Sequence, residues 1–134
     1  MDTKIAIAVL ADLPVWQKLN VATFLASGIA AENHRAIGAP YADGSGRVYC
    51  SMFAQPALIF EGDSAALRRA YERAIARDVK LAIYTRELFG TYNDADNRAA
   101  VAAVASNDLD LVGIGMRADS KAIDKIVDKL SMHR

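Results

Sequence analysis

A single cysteine, Cys50, excludes an internal disulfide, and two histidines, His34 and His133, leave no Cys/His cluster at zinc spacing. An excess of either charge is missing too. Sixteen Lys and Arg balance sixteen Asp and Glu, for zero net charge and a pI near 6.7. A zero sum removes the long-range attraction that draws a protein to nucleic acid or to an anionic membrane surface. No apolar run approaches the roughly 18 residues of a membrane span. The start of the chain carries Asp2 before a short apolar run that Asp12 and Pro14 interrupt, which is a poor signal-peptide pattern. The expectation is a protein of the reducing cytoplasm, without a membrane partner. Phosphate-loop, H-E-x-x-H, G-x-S-x-G and EF-hand patterns are all lacking, so no metal or cofactor is expected.

What is present is an ordinary folded composition, 53% hydrophobic and 24% charged, in 134 residues. That length suits one domain, since halves would be too small to bury a stable core. Residues 4–11 (KIAIAVLA) are apolar and β-branched at Ile5, Ile7 and Val9, as in a strand buried on both faces. Pro14 permits a helix to start nearby, and residues 14–32 continue it. The apolar residues of that helix surround its axis, which predicts that it is largely covered. Gly38, Pro40, Gly44 and Gly46 mark a loop over 34–46, after which 47–53 reads as a strand with Val48, Cys50 and Met52 on one packed face. A further strand is expected at 57–61 and a helix at 62–78, capped by Asp63, with Leu67, Ala70, Tyr71, Ala74 and Ile75 inward. A strand at 79–85 follows. Residues 86–95 are irregular, and Asp96 caps a helix at about 97–105, where Val101 and Val104, if uncovered, offer a self-association face. A strand at 109–117 contains Gly113 and Gly115, which mark close approach by a helix. The last helix is capped by Asp119 or Ser120, with Ala122, Ile123, Ile126, Val127 and Leu130 inward.

Strands alternating with helices predict an α/β fold, a three-layer α/β/α sandwich with a mostly parallel sheet. In such sheets ligands collect beyond the carboxyl ends of strands, beside helix N-termini. Lys18 and Asn20, in the first turns after strand 1, lie at that edge. So does the polar run after the third core strand, with Thr85, Arg86, Glu87, Thr91, Asn93, Asp94 and Asp96. A solvated lysine and an ordinary capped connection would explain both stretches equally well.

Three phrases in order resemble the second family of peptidyl-tRNA hydrolases, and more closely its uncharacterised bacterial relatives. They are residues 4–13 (KIAIAVLADL) with Lys18 heading a small-residue helix, residues 55–84, and residues 111–115 (LVGIG) followed by 123–132 (IDKIVDKLSM). The resemblance implies a four-stranded mixed sheet with its closing strand antiparallel to the rest, a homodimer, and metal-free hydrolysis of the ester joining peptide to tRNA. Lys18 matches the lysine that opens the family's helix. Ala22 and Leu25 stand where the family has glutamine and histidine. After the third strand the family reads Asp-Ala-Gly-x-Thr; here Thr85 and Phe89 occupy the acid and threonine positions, with Glu87 and Thr91 close by.

The favoured expectation is a protein that binds a small anionic or carbonyl ligand in the strand-end cleft. Lys18, Glu87 and Thr91 are the candidate catalytic groups, and Asn20, Thr85 and Arg86 the candidate ligand-binding groups. The alternatives are an esterase on peptidyl- or aminoacyl-tRNA, in which Lys18 stabilises an oxyanion and Glu87 or Thr91 helps activate water, and a non-enzymatic dimeric module. Zero net charge and the missing polar residues disfavour the tRNA reading.

Overall fold

Alternating burial along the first strand sets the architecture. In the computed structural model, which describes residues 2–134, β1 (Thr3–Leu10) sends Ile5, Ile7 and Val9 to one face of the sheet and Ala6 and Ala8 to the other. Each face receives its own hydrophobic cluster. Helix α1 (Val15–Glu32) covers the first with Val21, Leu25 and Ile29. Helices α2 (Ser64–Ala76) and α4 (Ser120–Ile126) cover the second through Leu67, Ala70, Ala74, Ile123 and Ile126. The remaining elements are β2 (Ala57–Gly62), β3 (Ala82–Thr85), α3 (Asp94–Ala102), β4 (Leu111–Asp119) and β5 (Ser131–Met132).

The sheet has five strands in the order β3-β4-β1-β2-β5, not the four expected. The extra strand is β5, drawn from a segment assigned to the closing helix. Helix α4 ends at Ile126, and the chain turns so that Met132 pairs with Phe60 and the His133 amide donates to the Ile59 carbonyl at 2.9 Å. An edge of β2 that would otherwise lie open is thereby covered. The sheet is mixed, as the resemblance implied, rather than mostly parallel, as the alternation of elements suggested: only β1 and β2 pair in parallel, while β4 runs antiparallel to both β1 and β3, and β5 to β2. The cause is the connection after β3. It carries α3 but crosses neither face, because the Arg86 amide donates to the Asp110 carbonyl at 2.9 Å and returns the chain at the end where β3 left it.

Residues 47–53 form no strand of the sheet. They are the return arm of an irregular hairpin whose ends meet through bridges between Ile37 and Phe53 and between Ala42 and Val48. Asp43 ties the tip, accepting from the Ser45 and Arg47 amides and from the Tyr49 hydroxyl, and these bonds hold its carboxyl below the usual range. Cys50 on this arm is exposed rather than packed, because no second layer covers it. Helix α3 starts earlier than expected: Asn93 caps it by accepting from the Asp96 amide at 2.8 Å, and Asp96 bonds back to the Asn93 amide group. Asp63 and Asp119 cap α2 and α4 as read from the sequence.

The approach of α1 to the sheet is unusually close. Val21 and Leu25 fill the space above Gly113, and Leu25 and Ile29 that above Gly115. The reading of these glycines as a place of close helix approach therefore holds. On its outer side α1 is not covered, with Val15 and Leu19 71% and 64% exposed. A Cβ at position 113 would collide with Val21 and crowd Leu25, so Gly113→Ala should destabilise the fold by about 1–3 kcal/mol. Urea unfolding measures this, and a loss under about 0.5 kcal/mol would contradict the close seat of α1.

Candidate functional site

Seating α1 over β4 leaves a row of its side chains facing β3. Trp16, Asn20, Phe24 and Gly28 recur every four residues, so they form one stripe along the helix. All four line a cleft of about 730 Å³. Opposite them stand Tyr84 of β3, Leu88 and Phe89 of the short 3-10 turn at Arg86–Gly90, and Thr91, Asn97 and Arg98 at the start of α3. The walls are aromatic. Tyr84 and Phe89 have ring centroids 5.1 Å apart, Phe24 lies 6.0 Å from Tyr84, and Trp16 meets Phe89 edge-on at 6.2 Å. Tyr92, at the rim, is 95% exposed. Such rings offer flat apolar surface with a polar edge, at low conformational cost.

The polar groups of the cleft are nearly all uncharged. Thr91 and Asn97 hydrogen-bond to one another, and the Thr91 hydroxyl also lies 3.0 Å from the Leu88 carbonyl. One hydroxyl proton serves one acceptor, so the Asn97 amide group donates when Thr91 bonds to Leu88. Asn20 has no side-chain partner among the described residues, and neither does the Tyr84 hydroxyl. Burial pushes the Tyr84 phenol above its ordinary range, which keeps it a neutral donor. Arg98, the one cation of the cleft lining, is paired with Asp94.

Of the residues singled out from the sequence, Asn20, Thr91, Asn93 and Asp94 line this cleft, and Lys18, Thr85, Arg86, Glu87 and Asp96 do not. Lys18 lies toward β2. Its ammonium sits 3.7 Å from the Glu61 carboxylate and 3.1 Å from His133 Nε2, with both carboxylate and ammonium largely shielded. An ammonium only donates, so in this contact Nε2 of His133 is the acceptor. Arg86 pairs with Asp110 at 3.1 Å and closes the β3–β4 end, while Glu87 is exposed. Thr85 is 2% exposed, and its hydroxyl has no partner among the described residues. Ala22 and Leu25 divide between the β2 side of α1 and the packed seat on β4, where Leu25 meets both glycines.

Sequence reasoning missed Trp16, Phe24, Tyr84, Phe89 and Asn97. The four-residue spacing of Trp16, Asn20 and Phe24 was a usable signal for half of the cleft. The other half comes from a strand and turn about sixty residues away, and no local pattern joins them. Among the described residues no group of three or more His, Cys, Asp or Glu is placed to hold a metal ion. No helix of the described residues is long and apolar enough to cross a membrane.

A family described as "Protein of unknown function (DUF2000)" matches residues 3–134. A solved structure described as that of the protein of unknown function Atu0240 from Agrobacterium tumefaciens strain C58 is 42% identical, with a TM-score of 0.96. The match covers 100% of this chain and 99% of that one. No curated protein matches.

Removing the ammonium from its cluster isolates a half-buried carboxylate. Lys18→Met should lower stability by about 1–3 kcal/mol, and adding Glu61→Gln should recover most of that loss, as a double-mutant cycle by urea unfolding would show. Additive losses in the double variant would mean that the two groups do not act as a pair.

Proposed function

The chain belongs to the family of proteins of unknown function DUF2000, and on that premise we propose that it binds a small, neutral, planar ligand bearing a carbonyl or amide in the α1–β3 cleft. The observation that carries this reading is the composition of one cavity. Five aromatic rings surround three carboxamides, of Asn20, Asn93 and Asn97, and the hydroxyls of Tyr84, Thr91 and Tyr92, and its single cation already has a carboxylate. A flat ring would stack between Trp16 and Tyr84 while Asn20, Asn97 and the Tyr84 hydroxyl meet its polar edge. Of the two ligand classes read from the sequence, the carbonyl is favoured over the anion. Lys18, the cation that an anion would need, is held by Glu61 and His133 on the other side of α1.

The same arrangement disfavours an esterase on peptidyl- or aminoacyl-tRNA, since no ammonium faces the cleft to stabilise an oxyanion. The likeness to the peptidyl-tRNA hydrolase II scaffold is part of the proposal; the antiparallel placement of β4 between β1 and β3 supports it. We place the protein in the cytoplasm and read it as a homodimer, and the uncovered outer face of α1 at Val15 and Leu19 supports the self-association.

Benzamide and benzoate separate the two ligand classes, because they share shape and differ in charge. Amide NMR titration should show benzamide shifting the Trp16 indole and the Asn20 and Asn97 side-chain signals saturably. Benzoate should bind there at least about tenfold more weakly, and Asn20→Leu should weaken benzamide by a similar factor, as expected for one lost hydrogen bond. Equal binding of benzoate, or benzamide affinity unchanged by Asn20→Leu, would overturn the reading.

A further inference from the structure

At the opposite end of the sheet lies a guanidinium whose charge no carboxylate among the described residues answers. Five Lys or Arg residues are half-buried among the described residues. Lys4 and Lys18 face the carboxylates of Asp124 and Glu61, while Arg68 and Arg73 donate from their terminal nitrogens to backbone carbonyls. Arg117 has neither. Its Nε donates to the Gln55 carboxamide at 2.9 Å, Gln55 in turn donates to the Thr3 carbonyl at 3.0 Å, and the two Nη groups reach no acceptor among the described residues. A partly desolvated guanidinium whose terminal nitrogens lack acceptors is costly, and long cationic side chains are seldom placed so without reason.

The clamp through Gln55 fixes the plane of the Arg117 guanidinium, so its free edge is oriented before any ligand arrives. That edge borders a pocket of about 390 Å³ shared with Arg35, His34, Asn33 and Glu32. Arg35 has no acidic partner among the described residues either. Glu32 is engaged by Lys80 at 3.2 Å and therefore does not neutralise the arginines. The C-terminus of α1 contributes about half a negative charge here, against two whole positive ones. The local field is positive in a chain of zero net charge.

We propose that Arg117 and Arg35 form a second, separate binding site for a small oxyanion, a carboxylate or phosphoryl group, held by the free Nη edge of Arg117 and closed by Arg35. Guanidinium forks match such groups in two parallel hydrogen bonds. The site is independent of the α1–β3 cleft, with which it shares no lining residue.

The test follows the Arg117 Nε–Hε signal of the full-length protein by NMR, titrating sodium phosphate, sodium acetate and, at matched ionic strength, sodium chloride. A saturable shift with phosphate or acetate but not chloride is expected. Saturation by phosphate alone identifies a phosphoryl ligand, by acetate alone a carboxylate, and by both a general oxyanion site. Arg35→Gln, an exposed change that leaves the Gln55 clamp intact, should weaken saturation about tenfold, the loss of one charge-assisted contact. A shift that never saturates, that chloride reproduces, or that Arg35→Gln leaves unaltered would overturn the proposal.

Discussion

The structure depends on the close seat of α1 over Gly113 and Gly115. With no side chains on β4 at those positions, Val21, Leu25 and Ile29 descend onto the strand itself. Gly28 matches this on the helix side, where an added Cβ would stand 3.0 Å from that of Ala82. Dispersion and apolar burial are strongest where surfaces meet without gaps, so these small residues convert a weakly amphipathic helix into a fixed one. A helix held this low brings its flanking residues within reach of the neighbouring strands. Trp16, Asn20 and Phe24 extend toward β3, and Lys18 toward β2.

That division decides which chemistry each side can support. On the β3 side the rings of Tyr84 and Phe89 meet those of Phe24 and Trp16, and the groups left for hydrogen bonding are carboxamides and hydroxyls. On the β2 side an ammonium, a carboxylate and an imidazole satisfy one another. Through His133 this cluster also ties the last residues of the chain to β2, since the His133 amide bonds to Ile59 while its ring meets Lys18. Lys18 thus joins α1, β2 and the C-terminal segment.

How much of this was legible in the sequence follows from how local each signal is. β1, α2 and the β4 glycines were readable because a β-branched run, a capped 3.6-residue period and paired glycines each carry their meaning within a few residues. The arm at 47–53 has strand-like alternation yet joins no sheet, because alternation does not reveal whether a partner edge is free; β5 holds the outer edge of β2. Asn93 and Asp96 can each cap a helix, and their three-residue separation makes them partners rather than rivals. The direction of β4 follows from where the chain returns after Arg86, at a contact with Asp110; alternation alone suggested a parallel strand, whereas the resemblance implied an antiparallel one, as found. The cleft was half legible. Asn20 and Thr91 stood out as polar residues, whereas the aromatic rings read as core until two distant segments were brought together.

The central claim is that the working surface lies on the β3 side of α1 and that Lys18 stands outside it. The most direct measurement is crystallographic soaking of a mixed set of small neutral amides and small carboxylates. The account predicts density for neutral amides between Trp16 and Tyr84, with polar atoms against Asn20 and Asn97, and none at Lys18. Ligands gathering at the Lys18–Glu61–His133 cluster while the aromatic cleft stays empty would contradict it.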